Sequence, residues 1–254
     1  MSRRLAGLAV VIVSTLAPRL SPADELEPLR VGVGLVGVAG ANFIDAPESQ
    51  SITIDGSTAT PVSVPEYPGF SGPTYGLGPV VDLRLFEYAG VEIDLLRTRD
   101  RGRAELRMVR LGAERSFTLE IAHDAFHLLV LFKSVLPTGV VRPMLLVGPE
   151  LVLPDEPSAG VVDGESLLEP AISASQGAYT MLTWGLGGEV DLPLSEVDLR
   201  VSASLRGSVT PGVGGARSAR ATYLGADVHR LEQIIYRTRW RYQAVGTVMV
   251  GLYF

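Results

Sequence analysis

Histidines set beside a carboxylate and a hydroxyl are the usual raw material for acid–base or nucleophilic chemistry. The chain has three histidines, and two lie close together in His123-Asp124-Ala-Phe-His127, with Ser116 upstream. Side chains four apart share one face of a helix, but they also share one face of a strand. Neither a G-x-S-x-G elbow nor an H-E-x-x-H pair accompanies them. The expectation is therefore structural or loop histidines, with no catalytic residue and no metal. Gly32-Val-Gly-Leu-Val-Gly37 spells a dinucleotide fingerprint, yet that motif needs a strand before it and a helix after it. Here the glycines fall inside a strand-like pattern, which predicts small residues beside large ones in a crowded interior and no cofactor.

A different set of residues recurs with a period of two. In Val197-Asp-Leu-Arg-Val-Ser-Ala-Ser-Leu-Arg206, Val197, Leu199, Val201, Ala203 and Leu205 alternate with Asp198, Arg200, Ser202, Ser204 and Arg206. A strand turns successive side chains to opposite faces, so one face is apolar and the other charged. Seven more segments read the same way: Leu29 to Ala39, Tyr75 to Phe86, Val91 to Thr98, Phe126 to Ser134, Val141 to Leu153, Tyr179 to Asp191, and Tyr242 to Phe254. The fourth sets Phe126, Leu128, Val130 and Phe132 against His127 and Lys133. Phe117 to Ala122 extends it, with a bulge near His123-Asp124.

Short and long connections alternate. Glu87–Gly90, Val135–Gly139 and Leu192–Glu196 are short. Gly40 to Thr74, Arg99 to Ser116, Pro154 to Ala178, and Gly207 to Arg241 are long. Strands joined in this way run up and down, with the short turns at one end and the long loops at the other. The first long loop contains Ser51-Ile-Thr-Ile54, a candidate short hairpin strand. The fourth carries Arg217, Arg220, Arg230, Arg237, Arg239 and Arg241.

Composition agrees with this layout. The 254 residues are 46% hydrophobic and 20% charged, with no cysteine and a net charge of −6. Mean hydropathy is high at +0.26, although no block after the first segment is long enough for a membrane helix. An acidic chain lacks the basic face that nucleic acid requires, and without cysteine there is no disulfide or thiolate zinc site. Residues 1–23 join a basic start (Arg3, Arg4), an apolar run from Leu5 to Ala17 and a small-residue site ending at Ala23. That order predicts a secretory signal peptide. Residues 24–254 are then one exported domain.

Alternation alone does not say which solvent meets the apolar face. A soluble barrel turns it inward, whereas a transmembrane barrel turns it to lipid and keeps a polar lumen. The charged face mixes both signs: Arg30, Asp82, Arg84, Glu92, Asp94, Arg142, Glu150, Glu189, Asp191, Asp198, Arg200 and Arg206. Such a set suits a narrow interior in which charges pair, because an unpaired buried charge is costly. The chain ends Val248-Met-Val-Gly-Leu-Tyr-Phe254, an alternating strand with a terminal aromatic. Tyr75, Tyr88, Tyr179, Trp184, Tyr242 and Phe254 are candidates for an interfacial aromatic girdle.

The leader, the eight alternating strands and the final Phe254 together resemble the small bacterial outer-membrane β-barrels of the OmpA/OmpX-like superfamily. Arg142-Pro-Met-Leu-Leu-Val-Gly-Pro-Glu150 is similar to a strand common in the outer membrane protein beta-barrel domain families. The resemblance implies an all-β, eight-stranded, antiparallel up-and-down transmembrane barrel in the cell outer membrane. It implies that Val248, Val250, Leu252 and Phe254 form the signal read by the barrel-assembly machinery. The expected role is structural, or surface interaction through the long loops of a monomer. The lumen is expected to be plugged, since eight strands enclose only side chains. Outer-membrane lipid is the expected partner, with lipopolysaccharide phosphates meeting the loop arginines. The alternatives are a narrow channel or small-solute transporter, a lipid-modifying enzyme using His123, His127 or Ser116, and a soluble ligand-binding barrel with its faces reversed.

Overall fold

A computed structural model describes residues 29–44, 49–54, 70–85, 88–110, 113–156, 158–164, 171–175, 177–193, 198–210, 217–224, 231–238 and 241–254. The signal-peptide expectation, residues 1–23, lies outside the described residues. Thirteen strands follow in chain order: β1 (Arg30–Ile44), β2 (Ser49–Ile54), β3 (Phe70–Leu85), β4 (Ala89–Arg110), β5 (Ala113–Val135), β6 (Arg142–Pro154), β7 (Ser158–Gly164), β8 (Ala171–Ser175), β9 (Tyr179–Pro193), β10 (Asp198–Val209), β11 (Arg217–Leu224), β12 (Leu231–Thr238) and β13 (Arg241–Tyr253).

Eight of them close on themselves in the order β4-β3-β1-β13-β10-β9-β6-β5, and β5 returns to pair with β4. Every pairing is antiparallel. The protein is an eight-stranded, all-antiparallel closed β-barrel. Closure between the first and last of the eight runs along β1 and β13, from Gly32 opposite Tyr253 to Ile44 opposite Arg241. The chain-end contacts Val31 N–H to Phe254 O and Phe254 N–H to Val31 O, at 3.3 and 3.1 Å, finish that seam.

The register fixes the barrel's shape. From Val31, cross-strand partners lead through Leu83, Val91, Phe132, Val147, Trp184, Gly207 and Ala244 back to β1 at Ala41. One circuit advances ten residues along β1. With strands about 4.8 Å apart and about 3.3 Å per residue, eight strands with that stagger tilt by about 40°. The bore is then narrow enough for side chains to fill.

Strand alternation translates directly into burial. β6 alternates buried and exposed positions along nearly its whole length. Val36, Val38, Val80, Leu96, Leu129, Leu131, Met144, Leu146 and Met249 form an apolar cluster inside. Outside stand Leu35, Leu77, Leu95, Phe132, Leu145, Trp184, Leu186, Leu205 and Val248. Gly32 and Gly34 fall on the inner face, where a Cβ on Gly32 would meet the Tyr253 ring at 2.5 Å, and one on Gly34 would meet Val250 O at 2.2 Å. Close approach accounts for these two glycines.

All four long connections differ from the pattern predicted by the sequence. The segment Arg99 to Ser116 is not a loop: β4 and β5 run on as one long hairpin, paired from Ala89–Ser134 to Arg110–Ala113. This pairing is continuous through His123 and Asp124. The predicted bulge there is absent, and the one irregularity of β5 lies between Thr118 and Leu119, where β7 joins its outer stretch. Ser51–Ile54 is a strand, but its partner is β12 from the fourth connection, not a neighbour in its own loop. Segments of three different connections make a separate sheet in the order β2-β12-β11-β8. Backbone pairing satisfies loop amides that would otherwise need water or side chains.

Candidate functional site: the charged lumen

All twelve predicted luminal charges take inward positions on the barrel strands. Nine of them, with Lys133, build one network at the short-turn end of the bore, and Arg30 and Asp198 add a pair at its rim. Lys133 Nζ sits at 2.8 Å from Asp82, 3.0 Å from Glu92 and 3.3 Å from Glu189. Arg84 lays a bidentate fork on Glu189, at 2.7 and 3.0 Å, and reaches Asp82 at 3.2 Å. Arg206 spans Glu92 at 2.6 Å and Asp94 at 2.5 Å. Arg142 pairs with Asp191 and, at 3.2 Å, with Glu189. Arg200 donates to Asp191 at 2.5 Å and stacks on the Tyr253 ring at 3.9 Å, and Tyr253 donates to Asp82 at 2.6 Å. Arg30 and Asp198 pair at 3.0 Å at the open rim.

Five cations thus face five carboxylates in the network, the rim pair adds one of each, and the charges balance. Taking ions from water costs several kcal/mol each, and only good geometry with further hydrogen bonds repays that. The bidentate and doubly shared contacts supply it. The filling is neutral and interlocked, and its charges alternate in sign instead of forming a single-sign ring.

The twelfth residue, Glu150, belongs to a second polar layer nearer the long loops. Glu150 Oε1 lies 2.5 Å from His127 Nδ1, and Thr183 donates to Oε2 at 2.5 Å. His127 Nε2 lies 2.8 Å from Thr98 Oγ1, and Thr183 lies 2.8 Å from Ser208. Above them His123 Nε2 approaches Asp100 at 3.4 Å. Thr74 bridges to Asp100, and Gln243 donates to Thr74 at 3.0 Å. Hydroxyl, imidazole and carboxylate stand here in the order that activates a nucleophile. Thr98, His127 and Glu150 are buried among the neighbouring strands.

His123 and His127 share the inner face of β5, as their spacing on a strand places them. His123 points inward, while Asp124 points outward to Arg97 and Arg99. Ser116, exposed on the outer face of β5, pairs with Arg107 rather than with either histidine. Among the described residues no group of three metal-ligating side chains gathers.

Val248, Val250, Leu252 and Phe254 all face outward on β13. Tyr242 and Phe254 are exposed near the two ends of β13, Tyr75 is exposed within β3, and Tyr88 stands beside a short turn. Tyr179 departs from the expected girdle: it is buried with Ala125, Val152 and Met181. Trp184 is exposed, but it sits mid-strand between Leu182 and Leu186, inside the apolar band and not at its margin. Of the loop arginines, Arg217, Arg220, Arg237 and Arg241 lie on described backbone, and Arg230 and Arg239 lie outside the described residues.

Lys133 and Tyr253 were readable as inward residues by the same alternation. Lys133, the only lysine in the chain, stands opposite the outward Phe132 in β5. The predicted set left it out, yet it touches three of the network's carboxylates.

No family model and no curated protein matches the chain. Among solved structures it is similar to the outer membrane protein OprG from Pseudomonas aeruginosa. That likeness has 14% identity over 87% of this chain and 95% of that one, with a TM-score of 0.39. A second is the translocator domain of the autotransporter NalP from Neisseria meningitidis, at 12% identity over 97% and 95%, with a TM-score of 0.24. Both are likenesses of overall architecture, and the functional reading rests on this chain's own residues.

Proposed function

We propose that the chain is an outer-membrane β-barrel of the OmpA/OmpX-like kind. Its plugged lumen gives it a structural role, or one in surface interaction through its long-loop end, and not an enzymatic one. One observation carries the reading: the polarity is inverted, with ions and hydroxyls inside and a belt of large apolar side chains outside. A water-soluble barrel of this size would expose Leu35, Leu77, Phe132, Leu186 and Leu205 together at a free-energy cost that lipid removes. The short turns at one end and the extended strands at the other support an orientation with the long loops outside the cell. The outward Val248, Val250, Leu252 and Phe254 stand ready for barrel-assembly machinery, and the loop arginines for anionic lipid.

The test joins two readouts on the full chain. In membrane fractions the unboiled protein should migrate differently from the boiled protein on a gel, as a closed barrel does. In planar bilayers the same material should give no unitary conductance steps, because the ion network fills the bore. Recovery only as a soluble protein would sink the membrane reading. Regular steps would favour the narrow-channel alternative and require the network to part.

A further inference from the structure

The outer face of β4 changes character abruptly. Ile93 and Leu95 belong to the apolar belt, and the next four outward positions are Arg97, Arg99, Arg101 and Arg103. The run Arg-Thr-Arg-Asp-Arg-Gly-Arg sends Thr98, Asp100 and Gly102 inward. The guanidinium stems therefore rise from one strand in a column, about 6.8 Å apart. The Arg97, Arg99 and Arg103 side chains are 49%, 52% and 65% exposed. Aromatic rings flank the foot of the column: Arg97 lies over Phe126 at 4.9 Å, and exposed Tyr75 is the cross-strand partner of Arg99. Charge stacked on aromatics directly above an apolar belt marks the headgroup level of a bilayer.

Carboxylates stand beside the column. Arg97 pairs with Asp155 at 2.9 Å and with Asp124 at 3.4 Å, and Arg99 shares Asp124 at 3.8 Å. Arg103 pairs with Glu120 at 2.7 Å. Glu105, the next outward position of β4 after Arg103, adds a fourth carboxylate beside the four guanidiniums, and the buried Nε of Arg101 has no acceptor among the described residues. At the opposite end the outward positions Leu85, Leu192 and Phe254 are apolar, so the feature belongs to the long-loop side alone.

We propose that this column binds the phosphate of a phosphorylated lipid headgroup in the leaflet on the long-loop side, with the acyl chains laid on Leu95 and Phe126. A phosphate offers several acceptor oxygens and up to two negative charges, so it can accept bidentate forks from two neighbouring arginines. A soluble anion would gain nothing from the apolar belt below. The inference rests on the membrane reading, and the experiment separates the two.

Full-length protein is folded into phosphatidylcholine vesicles containing either phosphorylated lipid A or its dephosphorylated form. The heat-dependent gel shift is read first. Without it in the wild type, the membrane reading fails and this proposal fails with it. Lipid retained per barrel after detergent extraction is then measured by mass spectrometry. The wild type should retain the phosphorylated form about tenfold over the dephosphorylated one. The fourfold variant R97Q/R99Q/R101Q/R103Q should lose that preference while keeping its gel shift. Should the fourfold variant lose the shift, R99Q and R101Q singly should each lower retention by about threefold. An unchanged preference in folded variants, equal retention of both lipids, or displacement of the lipid by inorganic phosphate alone would overturn the proposal.

Discussion

Replacing Lys133 with methionine should destabilise the barrel by about 3–5 kcal/mol, the usual cost of removing one partner from a buried ion cluster. The methionine fills much of the same volume, so packing is not the cause. The cause is charge: Asp82, Glu92 and Glu189 converge on Nζ within 3.3 Å, and without it three carboxylates share one bore. Arg84 and Arg206 relieve the site in part, since they already bind Asp82, Glu189 and Glu92. The loss is therefore finite. K133M/E92Q, which removes one of the three acids, should recover part of it, because the two changes act on one network and are not additive. Urea titration in vesicles, scored by the unboiled gel band, reads both. An unchanged midpoint for K133M would mean that the network is not the bore's main internal tie.

Leu205→Arg carries the second large effect, and its size depends on the solvent outside the barrel. Leu205 is 74% exposed and lies mid-belt between Leu186 on β9 and Gly246 on β13. In water, an arginine at so open a site changes stability by about 0.5 kcal/mol or less. At the midplane of a bilayer it costs about 2–4 kcal/mol. Val140 gives the control: it is more exposed still, at 81%, but it sits in a short turn beyond the strands. V140R should be near neutral in either solvent. Equal, small effects from L205R and V140R in vesicle-folded protein would contradict a lipid-facing belt.

The barrel's faces were legible because one rule, alternation, decides both the strand and the side on which each residue lies. Asp82, Glu92, Asp94 and Glu189 stand where that rule places them. The same rule separates His123 from Asp124, neighbours in sequence that a strand sends to opposite faces. The extent of β4 and β5 was obscured because Arg-Thr-Arg-Asp-Arg-Gly-Arg alternates charge and not hydropathy, so the strand's continuation reads as a polar loop. The pairing of β2 with β12 was beyond reach for another reason. It joins Ile52 to Ile234 across most of the chain, and no local pattern encodes a partner so distant. The network was half visible: the acids and arginines announced themselves as a mixed-sign set, but only three-dimensional register shows that they meet around Lys133.

Trp184 offers the most direct measurement of where the apolar face points. It is 47% exposed and mid-belt, and the chain's second tryptophan, Trp240, can be replaced by phenylalanine. W240F protein folded into vesicles whose acyl chains carry bromine should lose most of its tryptophan fluorescence, while acrylamide in the aqueous phase should quench it little. Fluorescence untouched by bromine but quenched by acrylamide, in protein that retains its β-sheet spectrum, would place Trp184 in water and contradict a barrel that wears its apolar face toward lipid.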